Sequence, residues 1–142
     1  MRKFIISNIS TYKSIAEEAH QKMRDASSIY DTDRNSFKQA MIAIVFTGMW
    51  LEALLHLLIV RKHGEETFKE YDYKTYEEKL QLLGCLDLHI IDCAKRFRKA
   101  RKELVHEKAH FDNSEFTAAQ DEADNAYVLL NTLHSKFLTN KN

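Results

Sequence analysis

Arg101 and His106 stand five positions apart at the end of the most basic stretch of the chain, and together they carry the groups needed to cleave RNA without a metal. RNA breaks at its own 2′-hydroxyl when a base removes that proton and the charge growing on the attacked phosphate is stabilised. A neutral histidine accepts the proton near pH 7, and a guanidinium suits the phosphate oxygens because its donors lie in a planar fork. A five-residue step on an ideal helix turns about 140°, so the two side chains do not share one face but could flank a groove. A two-fold dimer axis would bring two such pairs together. Six of the eight residues from Lys95 to Lys102 are Lys or Arg, and Lys95, Arg96, Arg98 and Lys99 are placed to hold an RNA backbone by salt-sensitive, sequence-tolerant contacts. The competing account is a solvated outer helix face. There, His106 pairs with Glu103, and Arg101 with Glu103 or the acidic last helix, each exposed pair contributing about 0–1 kcal/mol.

His106 also opens a second pattern, His106-Glu107-Lys108-Ala109-His110. Two histidines one helical turn apart can both donate nitrogens to zinc, with Glu107 as general base toward a bound water. Three features weigh against a peptidase. Lys108 places a positive charge inside the motif, Asn113 occupies the position where a longer zinc motif has glycine, and no strand is evident to align a peptide. A third ligand would have to come from Asp112, Glu115, Asp124 or His134. The sequence therefore predicts no metal and no cofactor.

The chain has 142 residues, within the size of one core, and no proline- or serine-rich joint, so residues 1–142 are expected to form one domain. With 21 basic and 21 acidic residues the formal charge is zero, and any attraction to nucleic acid must come from local clustering. The sign changes near the motif: from Asp112 to Asp124 there are five acidic residues and no Lys or Arg. Cys85 and Cys93 are too few for a disulfide framework and form no CxxC pair, which fits a reducing cytoplasm. Asn8, Ser10, Thr11 and Lys13 interrupt the apolar start before an export signal can form. Ala40 to Val60 is long and apolar enough to span a bilayer. However, Glu52 lies near its centre, where a charge in lipid costs about 2.5–3.5 kcal/mol, and His56 lies one turn later on the same face. A helix enclosed by other helices explains the run better, and no membrane association is expected.

Periodicity supplies those helices. Ile5, Ile9, Tyr12, Ala16, Ala19, Met23, Ala26 and Tyr30 alternate steps of four and three, predicting a first helix over 4–30. A polar turn over residues 31–36 precedes a second helix from about Phe37 to His63, stopped by Gly64. Gly48 inside it costs about 1 kcal/mol relative to alanine, so its expected use is close approach of another backbone. Glu65 to Lys74 reads as a charged loop. Thr75 and Glu78 then form a capping box for a short helix ending at Gly84. Asp87 can cap a fourth helix with Ile90, Ile91, Ala94, Phe97, Leu104 and Val105 on its apolar side. Asn113 or Ser114 starts the last, with Phe116, Ala119, Ala123, Ala126, Leu130, Leu133 and Phe137 on one stripe. The expected fold is all-α, a four- to five-helix up-and-down bundle.

Arg101-Lys102-Glu103-Leu104-Val105-His106 resembles the signature of the HEPN domain family, an arginine, four to six residues, then a histidine. The context is similar too: a long apolar helix bearing Glu52, a short helix ending Lys79-Leu80-Gln81-Leu82-Leu83-Gly84, and the helix from Asp87 to His106. The resemblance covers roughly residues 37–138 and implies an α-helical homodimer. Its interface would assemble a metal-independent endoribonuclease site from Arg101 and His106 of both chains, in a toxin or phage-defence setting and often restrained by a cognate antitoxin. The position after the arginine, commonly Asn, Asp or His in nuclease members, is Lys102, which cannot accept a hydrogen bond. Glu52 and Glu107 are further candidates for the site. For Glu52 the sequence favours the alternative of a buried carboxylate hydrogen-bonded between helices.

A third class needs no chemistry: a helical RNA-binding or adaptor module that dimerises through its heptad-like stripes and offers a basic patch to nucleic acid or an acidic protein. Lys102 favours it. The discriminating geometry is whether Arg101 and His106 converge with their symmetry mates in one cleft.

Overall fold

A computed structural model describes residues 2–26, 35–105 and 113–139. Among them there are six α-helices and no strand: α1 (Arg2–Ala26), α2 (Asn35–His63), α3 (Glu65–Tyr71), α4 (Tyr76–Leu82), α5 (Leu88–Val105) and α6 (Asn113–His134), followed by a π-helical turn, Ser135–Thr139. The fold is all-α, as the periodicity requires.

α2 is the axis of the fold, packing against α1, α3, α4, α5 and α6. Its sequence explains this position, since a helix apolar on most sides must be covered on most sides. Trp50, Leu51, Leu54, Leu55 and Ile59 are closed off from solvent, each contributing about 1.5–3 kcal/mol by burial. Ala16, Ala19 and Met23 of α1 and Ala123, Ala126, Leu130 and Leu133 of α6 close over it. Small alanines on both partners allow the helices to approach closely. By length and composition α2 also qualifies as a membrane span, and half of its most apolar window is buried inside the fold.

Polar clamps fix the helices against one another. His20 of α1, buried, shares a 2.8 Å hydrogen bond with Asp124 of α6, and its ring stacks on Tyr127 at 4.1 Å. Gln120 of α6 donates to the Ser36 hydroxyl of α2. Asn125 of α6 donates to the Cys93 carbonyl of α5 at 3.2 Å and accepts from the Cys93 thiol at 3.1 Å.

The structure corrects several boundaries. The segment read as a charged loop contains α3, which starts directly after Gly64 (φ 92°) ends α2. Glu65 and Glu66 in its first turn suit the positive helix end, and Phe68 anchors it by an edge-on contact with His56 at 4.4 Å. A helix of seven residues with no fully buried side chain escaped the periodicity because it is too short to repeat an apolar stripe. α1 is described as far as Ala26, and residues 27–30 of the expected first helix lie outside the described residues. The capping box is present: the Glu78 N–H donates to the Thr75 hydroxyl at 3.2 Å and the Thr75 N–H to the Glu78 carboxylate at 2.9 Å. Asp87 accepts from the His89 N–H at 2.8 Å, capping α5 as expected.

Candidate functional site

Arg101 lies on α5 one turn beyond Phe97, which with Ala94 anchors that helix to the core. Its side chain does not run out into solvent. It crosses α2 at Gly48, where a methyl group would stand 2.5 Å from Arg101 Cδ and 3.1 Å from Cζ, and would overlap Nε. Gly48 is therefore a notch for the arginine stem, and the expectation that another backbone approaches there is corrected to the approach of this one side chain. Arg101 Nε sits buried in the notch with no hydrogen-bond partner among the described residues.

The guanidinium emerges beside Glu52, one turn along α2. Arg101 Nη1 lies 2.9 Å from Glu52 Oε2 and donates to the Tyr76 hydroxyl at 3.3 Å, while that hydroxyl donates to Glu52 Oε2 at 2.8 Å. The three side chains close a triangle joining α2, α4 and α5. Glu52 is not the buried carboxylate the sequence favoured: it is hydrogen-bonded between helices, but its side chain is 48% exposed because it sits on the outer edge of α2. Arg101 pairs with it rather than with Glu103 or the acidic helix.

Tyr76 is the residue that sequence reasoning missed. It is the first residue of α4, set in place by the Thr75 cap, and its ring stacks on buried Phe97 at 5.9 Å. Burial first, and then the neighbouring Glu52 carboxylate, push its phenol well above the usual tyrosine value, outweighing the opposite pull of Arg101. The hydroxyl is thus held protonated as a donor. Locating α4 from its capping box was possible; nothing in the sequence pairs Tyr76 with residues 24 and 25 positions away.

The basic strip divides in two. Arg96 donates through Nε to both Glu122 oxygens at 2.9 and 3.1 Å, tying α5 to α6. Arg98 forms a forked pair with Glu77 of α4, Nε at 3.0 Å and Nη2 at 2.9 Å. Burial alone would raise Glu77, but the Arg98 bonds outweigh it and hold the carboxyl below its ordinary range. Lys95, Lys99 and Lys102 are exposed. His106, Glu107 and His110 lie outside the described residues, so both the proposed base and the zinc pattern stand beyond the end of described α5. Among the described residues no three His, Cys, Asp or Glu side chains group in a way that could hold a metal.

What the arrangement can do is hold one guanidinium at a fixed place near the C-terminal end of α5, with a protonated phenol and a half-exposed carboxylate beside it. Comparison with known proteins finds no matching family model, no matching curated protein and no matching solved structure, so the resemblance rests on the residues themselves.

Proposed function

We propose that the chain is a metal-independent endoribonuclease of HEPN type, working as a cytoplasmic homodimer in which Arg101 stabilises the charge on the attacked phosphate and His106 takes the 2′-hydroxyl proton. A cognate antitoxin would restrain it. One observation supports this above the solvated-surface account: Arg101 is seated in a dedicated notch over Gly48 and fixed by two partners. A surface arginine needs no such seat. Lys95 and Lys99 are left exposed to meet the RNA backbone, adding a salt-dependent term.

The test is incubation of purified protein with labelled RNA in EDTA beside Arg101→Ala and His106→Ala. Fragments with 2′,3′-cyclic phosphate ends from wild type, absent from both variants, are the expected result. Cleavage that survives His106→Ala refutes the assignment.

The adaptor reading has its own support. Arg96 and Arg98 are engaged by Glu122 and Glu77, so half of the four backbone-binding candidates must break an existing pair to meet a phosphate. Salt-sensitive RNA binding without cleavage of several RNA classes is the outcome that selects it.

A further inference from the structure

A guanidinium takes a phosphate with two parallel N–H bonds along either of two edges, Nε with Nη2 or Nη1 with Nη2. In Arg101 neither edge is open. Nε is enclosed against Gly48. Nη1 donates to the Tyr76 hydroxyl at 3.3 Å and is ion-paired at 2.9 Å with Glu52 Oε2, which lies across its approach. An oxyanion that uses the fork must displace one of these, and only Glu52 is in a position to leave. Tyr76 is buried beneath Phe97 and bound to α4, whereas the Glu52 side chain is about half exposed at the edge of α2 and can turn into water without disturbing the core.

We propose that Glu52 is a latch on Arg101: an internal carboxylate that is ion-paired with Nη1 of the phosphate fork in the resting protein and is exchanged for a phosphate oxyanion on binding. This rests on the reading of Arg101 as the phosphate-binding group. The exchange conserves charge at the guanidinium, replacing one carboxylate by one phosphate, and leaves the Tyr76 hydroxyl to turn its proton from Glu52 to the incoming oxygen. It also makes the site selective. A weakly held single anion meets a competitor already in place, while an RNA strand that gains further contacts at Lys95 and Lys99 displaces it.

The experiment is titration of the isotope-labelled full chain with inorganic phosphate, following the Gly48 amide and Arg101 Nε resonances. Glu52→Gln keeps the shape and a hydrogen-bond acceptor but removes the competing charge, and is expected to tighten phosphate binding about fivefold. Glu66→Gln, an equal charge change on exposed α3 at a residue whose ion pair is with Lys69, is expected to leave it unchanged. Arg101→Ala combined with Glu52→Gln is expected to abolish the gain. Equal affinities for wild type and Glu52→Gln, an equal gain in Glu66→Gln, or a gain that survives loss of Arg101 would each overturn the latch. RNA cleavage measured on the same proteins separates the two claims: tightened phosphate binding without cleavage sinks the nuclease and keeps the latch, and cleavage with unaltered phosphate binding does the reverse.

Discussion

Gly48→Ala separates the role of Gly48 as a weak helical residue from its role as a seat for Arg101. In a helix interior, alanine is about 1 kcal/mol better than glycine, so propensity alone predicts a stabilised protein. The geometry opposes this, because the new methyl would stand 2.5 Å from Arg101 Cδ and 3.1 Å from Cζ, closer than carbon atoms pack. The stem of Arg101 must swing out, losing its contacts to Glu52 and Tyr76. Freeing the buried Nε returns part of its desolvation cost, while the exposed ion pair, worth about 0–1 kcal/mol, the phenol hydrogen bond and the packing of the stem are lost, so gain and loss nearly cancel. The expected urea midpoint of Gly48→Ala is within about 1 kcal/mol of wild type, while phosphate binding and RNA cleavage are lost. The decisive measurement is the double-mutant cycle with Arg101→Ala. Without the arginine the three nearest atoms to the methyl are gone, and Gly48→Ala becomes stabilising by about 1 kcal/mol. A coupling of about 1–2 kcal/mol is expected. Equal stabilisation in both backgrounds would show that Arg101 does not lie over Gly48, and the site as described would fall with it.

Glu77, held below the ordinary carboxylate range by Arg98, contributes stability that is present above its unfolded pKa and is lost as pH falls through its lower folded value. Between pH 7 and pH 3 wild type should therefore lose about 1 kcal/mol more than Glu77→Gln in urea titrations, and parallel acid curves would contradict this. Thr75→Ala removes the hydroxyl that caps α4 and should cost about 1 kcal/mol. Because Tyr76 is the next residue, the same change should broaden or shift the Arg101 Nε resonance, whereas Asp87→Ala at the start of α5 should cost stability and leave that resonance in place.

Local chemistry made most of the fold legible. The capping box at Thr75 and Glu78, the cap at Asp87 and the stop at Gly64 are short-range hydrogen-bonding or backbone events, and such events depend on residues three or four positions apart. The apolar stripes of α1 and α6 were readable for the same reason. α3 was not, since seven residues with no fully buried side chain carry no period. The site was half legible. Arg101 and Glu52 each stood out, one by its motif and one as a charge in an apolar helix. Their pairing across 49 positions did not, because any of several acidic residues satisfied the same rule. Gly48 carried a visible cost with the wrong use attached, and Tyr76 carried no signal, being an ordinary aromatic at the start of a helix.

The energetics of that cluster bear on why it exists. Gly48 weakens α2 by about 1 kcal/mol relative to alanine. Arg101 Nε, buried without a partner among the described residues, adds a desolvation cost of about 1–3 kcal/mol. Against these stand one half-exposed ion pair worth about 0–1 kcal/mol and a phenol hydrogen bond contributing about as much. An alanine at 48 and an apolar residue at 101 would serve stability better, and with Val60, Ile59 and Leu58 nearby on the same helix the sequence has no shortage of apolar side chains. Local rules broken at a loss to stability concentrate where a protein binds or reacts. The same reasoning does not extend to Arg96 and Arg98, whose carboxylate pairs link α5 to its neighbours and are explained by the fold alone. Of the three arginines in the strip, Arg101 is thus the one whose placement the fold does not account for.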